Sequence, residues 1–264
     1  MTEFAKPPQR GTALVTGASA GIGAAFAQRL AAQGYGLVVV ARRGDRLEAL
    51  AATLEASHGT RTEVLAADLC SAGDLRRVEE RASGDDITLL INNAGFGSFG
   101  PFSGLDADRE EEEIALNVTA LVRLTRAALP GMLARKHGGI INVSSVAAYQ
   151  PGPFNATYAA TKAFVSSFTE AVHEEVRGSG VVVQVLCPGF THTEFQGRAG
   201  VNTHGIPERA FQTPEAVVAA SLAALRRGRA VCIPGLHNKA LALVSSKSPR
   251  TLVRRVAGVV GRRF

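Results

Sequence analysis

Tyr158 and Lys162 stand four residues apart in a helix-forming segment, which puts a phenol and an ammonium on one face. A phenol with its ordinary pKa near 10 is a sluggish proton donor at neutral pH. Bringing it to about 7 takes roughly 4 kcal/mol of preferential phenolate stabilisation, for which a nearby positive charge is one source. Ser145 lies thirteen residues before Tyr158, just past a strand-like run. Its hydroxyl is suited to hydrogen-bond an oxygen on which charge develops. Ser144 beside it competes for the same role.

A second grouping lies near the start. Thr16-Gly17-Ala18-Ser19-Ala20-Gly21-Ile22-Gly23 follows a short β-rich run and opens a helix. Glycines in this GxxxGxG spacing allow a tight turn and close backbone approach to a diphosphate, and the helix N-terminus presents N–H donors. The turn carries weight because it joins the first strand and first helix of a βαβ unit.

The elements that must position these groups alternate along the chain. Strand-like runs fall at 11–16, 36–41, 61–66, 88–91, 139–144 and 181–187, mostly apolar at every position, as in strands buried on both faces. Helical patterns lie between them at 22–33, 44–57, 72–82, 107–136 and 156–177. A last helix near 214–228 and a strand near 230–233 complete the series. Regular alternation predicts an α/β fold: a Rossmann-type, doubly wound parallel sheet of about seven strands with helices on both faces. The expected organisation is a loose arm at 1–10, one domain over 11–235 and a basic extension over 236–264.

With these elements in order, the chain resembles the short-chain dehydrogenase/reductase family over roughly residues 10–235. The resemblance rests on TGASAGIG at 16–23, Asp68-Leu69, Asn92-Asn93-Ala94-Gly95, Asn117, Ser145, Tyr158-Ala-Ala-Thr-Lys162 and Pro188-Gly189. It implies a nicotinamide cofactor with Gly17, Ser19, Gly21, Ile22 and Gly23 at its phosphates. Asp68 and Leu69 would meet the adenine, and Asn93, Ala94 and Gly95 would line the adenosine side. Pro188, Gly189 and Thr193 would meet the nicotinamide half. A purely structural turn is the other reading of Asn92-Asn93. The resemblance makes Tyr158 the acid/base, with Lys162 depressing its pKa and holding the nicotinamide ribose. It favours Ser145 over Ser144, and gives Asn117, inside helix 107–136, a water in the proton relay. Packing polarity is the other reading of Asn117.

The second strand discriminates between cofactors. NAD-selective members end it with Asp or Glu, which accepts from the ribose hydroxyls. Here the position is Ala41, followed by Arg42 and Arg43, a pair suited to a 2′-phosphate. The expectation is NADP(H); a solvated basic pair is the bland alternative. The implied activity is reversible reduction of a ketone or aldehyde. Looser likeness to ketoacyl and hydroxysteroid reductases favours a hydrophobic substrate, with Phe96, Phe99, Phe102, Phe154, Phe190 and Phe195 near the expected pocket. Epimerisation or dehydration on the same fold, and a non-enzymatic membrane-associated regulator, are the rival readings.

Composition fits one globular enzyme of 264 residues, 46% hydrophobic and 20% charged, and excludes a disordered chain. Cys70, Cys187 and Cys232 are too few and too widely spaced to suggest a disulfide framework, and no metal site is suggested. A reduced, cytoplasmic homodimer or homotetramer is expected, and no nucleic-acid motif is present. The net charge of +6 is unevenly spread. Residues 1–215 carry nineteen Lys/Arg against twenty-three Asp/Glu, whereas residues 216–264 carry ten Lys/Arg and no acid. Within that tail, Leu252, Val253, Val256, Val259 and Val260 form a helical stripe among Arg250, Arg254, Arg255, Arg262 and Arg263, with Gly258 and Gly261 against a helix. The stripe either packs on the body or a second subunit, which is the favoured reading, or lies on a membrane. His192 and His204 fall in an expected substrate lid near 190–213, and His173 is expected at the surface or a subunit interface.

Overall fold

A computed structural model describes residues 10–200 and 207–261, with only the backbone of Arg198 and Val260. His204, Arg262, Arg263 and the arm before Arg10 lie outside the described residues. Seven strands form one fully parallel sheet in the order β3-β2-β1-β4-β5-β6-β7. They are β1 (Thr12–Thr16), β2 (Gly36–Ala41), β3 (Thr62–Ala66), β4 (Ile87–Asn92), β5 (Gly138–Val143), β6 (Val181–Leu186) and β7 (Val231–Cys232).

The continuous apolar runs become intelligible residue by residue. Leu14, Val38, Val40, Leu90 and Ile140 point into one core, and their neighbours Val15, Val39, Leu89, Ile91 and Ile141 into the other. One face is covered by α1 (Gly21–Ala31), α2 (Gly44–His58) and α8 (Pro214–Arg226). The other is covered by α3 (Ala72–Ala82), α5 (Leu121–Ala134) and α6 (Ala156–Glu175). The edge strand β3 departs from the expectation of two-sided burial, with Glu63 and Ala66 exposed.

The expected helix 107–136 is not one α-helix. It divides into α4 (Ala107–Ile114), a π-helical segment at Ala115–Ala120 and α5. Such i→i+5 segments are uncommon and concentrate at functional sites; this one carries Asn117. The chain then continues through α7 (Phe195–Arg198), α9 (Leu236–Lys247) and α10 (Arg250–Gly261). Helix α10 runs through both glycines that counted against it. Gly261 lies where an added Cβ would come within 2.9 Å of the Pro153 carbonyl oxygen, so close packing accounts for its lack of a side chain.

Polar groups cross-link the sheet centre beneath the site. Asn92 Nδ2 donates to Asn142 Oδ1 at 2.9 Å, and Asn142 Nδ2 donates to Thr169 Oγ1 at 3.0 Å, all within the buried core. An Asn142→Ala variant removes both of these buried bonds, at about 2–4 kcal/mol, and leaves Asn92 its bond to Thr125 and Thr169 its bond to Val165. Its melting temperature is expected to fall by roughly 5–10 °C; a shift near zero in thermal denaturation would show that the network contributes nothing.

Candidate active site

The strand order reverses between β1 and β4, and a cleft opens there beyond the carboxyl ends of the strands. It encloses about 520 Å³. One wall is the glycine turn. Gly17 has φ +66°, and a Cβ on it would approach Asn93 Nδ2 to 2.8 Å; a Cβ on Gly23 would approach Gly17's carbonyl oxygen to 2.3 Å. Ala20, just before helix α1, supplies no side-chain cap, which leaves the first-turn N–H groups available for an anion. Asn93 Nδ2 donates to the carbonyl oxygens of Thr16 (2.9 Å) and Gly17 (3.3 Å). Thr16 Oγ1 accepts from the N–H groups of Asn93 and Ala94, both at 3.0 Å. Thus Asn93 braces β1 to β4 while lining the cleft, and Thr16 is a bracing residue that the motif reading missed.

Ser19, Gly21, Ile22, Arg42, Asp68, Leu69, Ala94 and Gly95 also line the cleft, as do Pro188, Gly189 and Thr193. Arg43 Nη2 donates to Ser19 Oγ at 2.9 Å, and its Nη1 pairs with Glu194 at 3.1 Å. Arg46 pairs with the same carboxylate at 2.6 Å. Glu194, from the loop expected to form a lid, therefore ties that loop to the second strand's arginine. Asp68 accepts from Cys70 N–H at 3.0 Å.

The catalytic candidates converge from β5 and α6. Ser144 is resolved against: its hydroxyl donates to the Lys162 carbonyl at 2.8 Å and meets Ser166 Oγ at 2.9 Å, turned into the core. Ser145 begins the turn 146–149, where its Oγ accepts from Ala147 N–H, and its side chain lies near that of Tyr158. Lys162 is buried, donates to the Val143 carbonyl at 2.9 Å and lies 5.5 Å from the centre of the Tyr158 ring. Burial pulls its ammonium down to about 8. Tyr158 differs from expectation. Burial pushes its hydroxyl well above the ordinary value, outweighing the lowering influence of nearby Ser145, and the charge of Glu113 acts with burial.

Two expected residues stand behind the cleft. Gly23 supports the turn from within α1. Asn117 is buried, with its amide donating to Phe96 O (2.9 Å) and Thr161 Oγ1 (3.1 Å) and its oxygen accepting from Phe96 N–H (3.2 Å). Its side chain is committed to holding the 93–97 loop against α6, which favours the structural reading over a relay through the side chain. Of the six phenylalanines, Phe96 and Phe195 line the cleft, Phe195 lying 5.3 Å from the Tyr158 ring. Phe102 is exposed, and Phe190 packs with Phe211. His192 pairs with Glu208 at 3.0 Å and stacks on Phe211, whereas half-buried His173 bonds the Val183 carbonyl rather than facing outward. The three cysteines are free.

The family model for the short chain dehydrogenase matches residues 11–203. The chain is 34% identical over 221 residues to the 17-beta-hydroxysteroid dehydrogenase type 3 of Danio rerio, covering 82% of this chain and 70% of that protein. It is 34% identical over 187 residues to the very-long-chain 3-oxoacyl-CoA reductase of Anas platyrhynchos, covering 69% of this chain but only 60% of that one. Among solved structures, a short-chain dehydrogenase from Sphingobium yanoikuyae in complex with NADPH superposes with a TM-score of 0.82 at 39% identity, covering 90% of this chain and 96% of that one. The chain belongs to the short-chain dehydrogenase family, and it is an oxidoreductase acting on alcohol and carbonyl groups.

Glu113 is a buried carboxyl to which the sequence pattern assigned no role. It is fully buried on α4 and faces Ser98, with buried Glu110 one turn away. Burial pushes its carboxyl from an ordinary 4.5 up to about 7. Between those values the folded chain binds the extra proton, so the group's contribution to stability falls as pH rises from about 4.5 through 7. Glu113→Gln removes that slope. Its melting temperature relative to wild type should therefore climb between about pH 5 and pH 8; a difference independent of pH would contradict the assignment.

Proposed function

We propose that the chain is an NADPH-dependent reductase of ketones or aldehydes on hydrophobic molecules, with alcohol oxidation as the reverse reaction. The observation that carries this reading is the placement of Ser145, Tyr158 and Lys162 at one end of a cleft whose other wall holds the glycine turn and Arg42-Arg43. The cleft fits a dinucleotide: uncapped α1 N–H groups face the phosphate position, and the glycines leave no Cβ there. Arg42 and Arg43 stand at the end of β2 with no carboxylate at Ala41 to repel a 2′-phosphate. Bound there, the nicotinamide would supply or accept the hydride.

The chain's own groups handle the oxygen. Tyr158 holds its proton firmly at neutral pH, which is the protonation state that donation to a carbonyl oxygen requires. Ser145's hydroxyl, next to Tyr158, hydrogen-bonds the same oxygen as charge develops. Lys162 is anchored by Val143 and brings positive charge to the ring side of the phenol. Oxidation needs the phenolate, so it gains with rising pH. Phe96 and Phe195 favour an apolar substrate, as do the steroid and long-chain acyl names of the two relatives. Ile114 and Phe164, exposed on α4 and α6, support the expected homodimer or homotetramer.

Tyr158→Phe should lower kcat by roughly 10²–10⁴-fold while NADPH binding stays within about threefold; undiminished turnover would remove Tyr158 from the mechanism. Arg42→Ala/Arg43→Ala should lose roughly tenfold or more of the preference for NADPH over NADH in fluorescence titration. Glu194→Ala, which releases Arg43, should tighten NADPH a few-fold. Equal wild-type affinity for the two cofactors would refute the reading of the second strand.

A further inference from the structure

Helix α9 is built inside out. Its buried face carries Asn238, whose amide donates to the Pro234 carbonyl (2.8 Å) and Gln212 Oε1 (3.0 Å), and Ser245, which donates to Gln150 at 3.2 Å. Its outward face carries Leu236, Leu243 and Val244, each more than half exposed, with Leu241 beside them. Helix α10 repeats the pattern. Leu252, Val256 and Val259, spaced four and three apart, form an edge that is more than half exposed along its length. Of the favoured expectation, packing on the body or on a second subunit, the first half therefore fails for these three side chains. Around both apolar faces stand exposed Lys239, Lys247, Arg250, Arg254 and Arg255, within a segment that has no acidic residue.

We propose that α9 and α10 together form a docking surface for an anionic lipid bilayer. Burying these large aliphatic side chains while the flanking basic groups reach lipid phosphates satisfies both halves of the pattern. A second copy is a poorer occupant. A two-fold contact sets a patch against itself, and here it would oppose like charges. Among the described residues no helix is long and apolar enough to cross a membrane, so the surface lies on the bilayer. The two helices that carry the docked face pack their opposite sides on the catalytic region. Helix α9 packs on the turn 146–149 that follows Ser145, Asn238 fills the space beside Gly189, and Gly261 abuts Pro153 and Phe154. The surface stands independently of the cofactor and substrate readings.

The test is co-sedimentation of the full chain with phosphatidylcholine vesicles, with and without about 30% phosphatidylglycerol, at about 0.1 M salt. Wild type should pellet with the anionic vesicles and stay in solution with the neutral ones. Leu252→Ser/Val256→Ser/Val259→Ser and, separately, Arg254→Gln/Arg255→Gln should each weaken binding by roughly tenfold or more. Unchanged melting curves and unchanged cofactor titration would show both variants folded. Absence of binding to anionic vesicles, or undiminished binding by the serine variant, would overturn the proposal. So would a wild-type oligomer that falls apart in the serine variant by light scattering, which would make a second copy the occupant.

Discussion

The hydrogen bonds between the ends of β1 and β4 are the constraint on which the site depends. At a strand-order reversal the two following loops leave in opposite directions, and nothing in the ladder itself holds the gap between them. Here Asn93 reaches back to the Thr16 and Gly17 carbonyls while Thr16 Oγ1 gathers two N–H groups from the opposite loop. The approach is so close that a Cβ at Gly17 would meet Asn93 and Ala94 together. The glycine is thus required by the sheet's own cross-tie, before any ligand is considered. A residue selected for bracing and one selected for binding are here the same residue.

Much of this was legible beforehand, for physical reasons. Strands buried on both faces leave uninterrupted apolar runs, and the structure splits those runs residue by residue between two cores. The spacing of Ser145, Tyr158 and Lys162 survives because each lies on a rigid element whose geometry a helix or strand end fixes. The π segment was not legible, since six residues of i→i+5 pairing leave an apolar pattern that reads as continuous helix. That local change of pitch is what buries Asn117 and commits its amide to Phe96 and Thr161. Glu113 was hidden for a related reason. In a run of four glutamates, sequence does not tell which of them the helix turns inward.

The inversion of α9 shows the limit from the other side. Periodicity locates an apolar face but assumes that it points at the core. Asn238 and Ser245 find polar partners on the body, at Pro234, Gln212 and Gln150, and so pull the polar face inward. The leucines are then outward by geometry, whatever their own preference. Only the hydrogen bonds of the docked side reveal which face remained.

The electrostatics of the catalytic end follow from the same packing. Burying a phenol and an ammonium together penalises both charged forms, and the nearby Ser145 hydroxyl does not offset this for Tyr158. Lys162 is drawn toward the Val143 carbonyl and presents its charge to the ring side of the phenol. Glu113 adds a negative charge once it ionises, near neutral pH, and its field opposes phenolate formation. Burial and Glu113 keep the proton on Tyr158 against the opposing pull of Ser145. The protein alone is therefore poised as a proton donor, the state that carbonyl reduction consumes, and the opposite direction must overcome burial and a neighbouring carboxylate together.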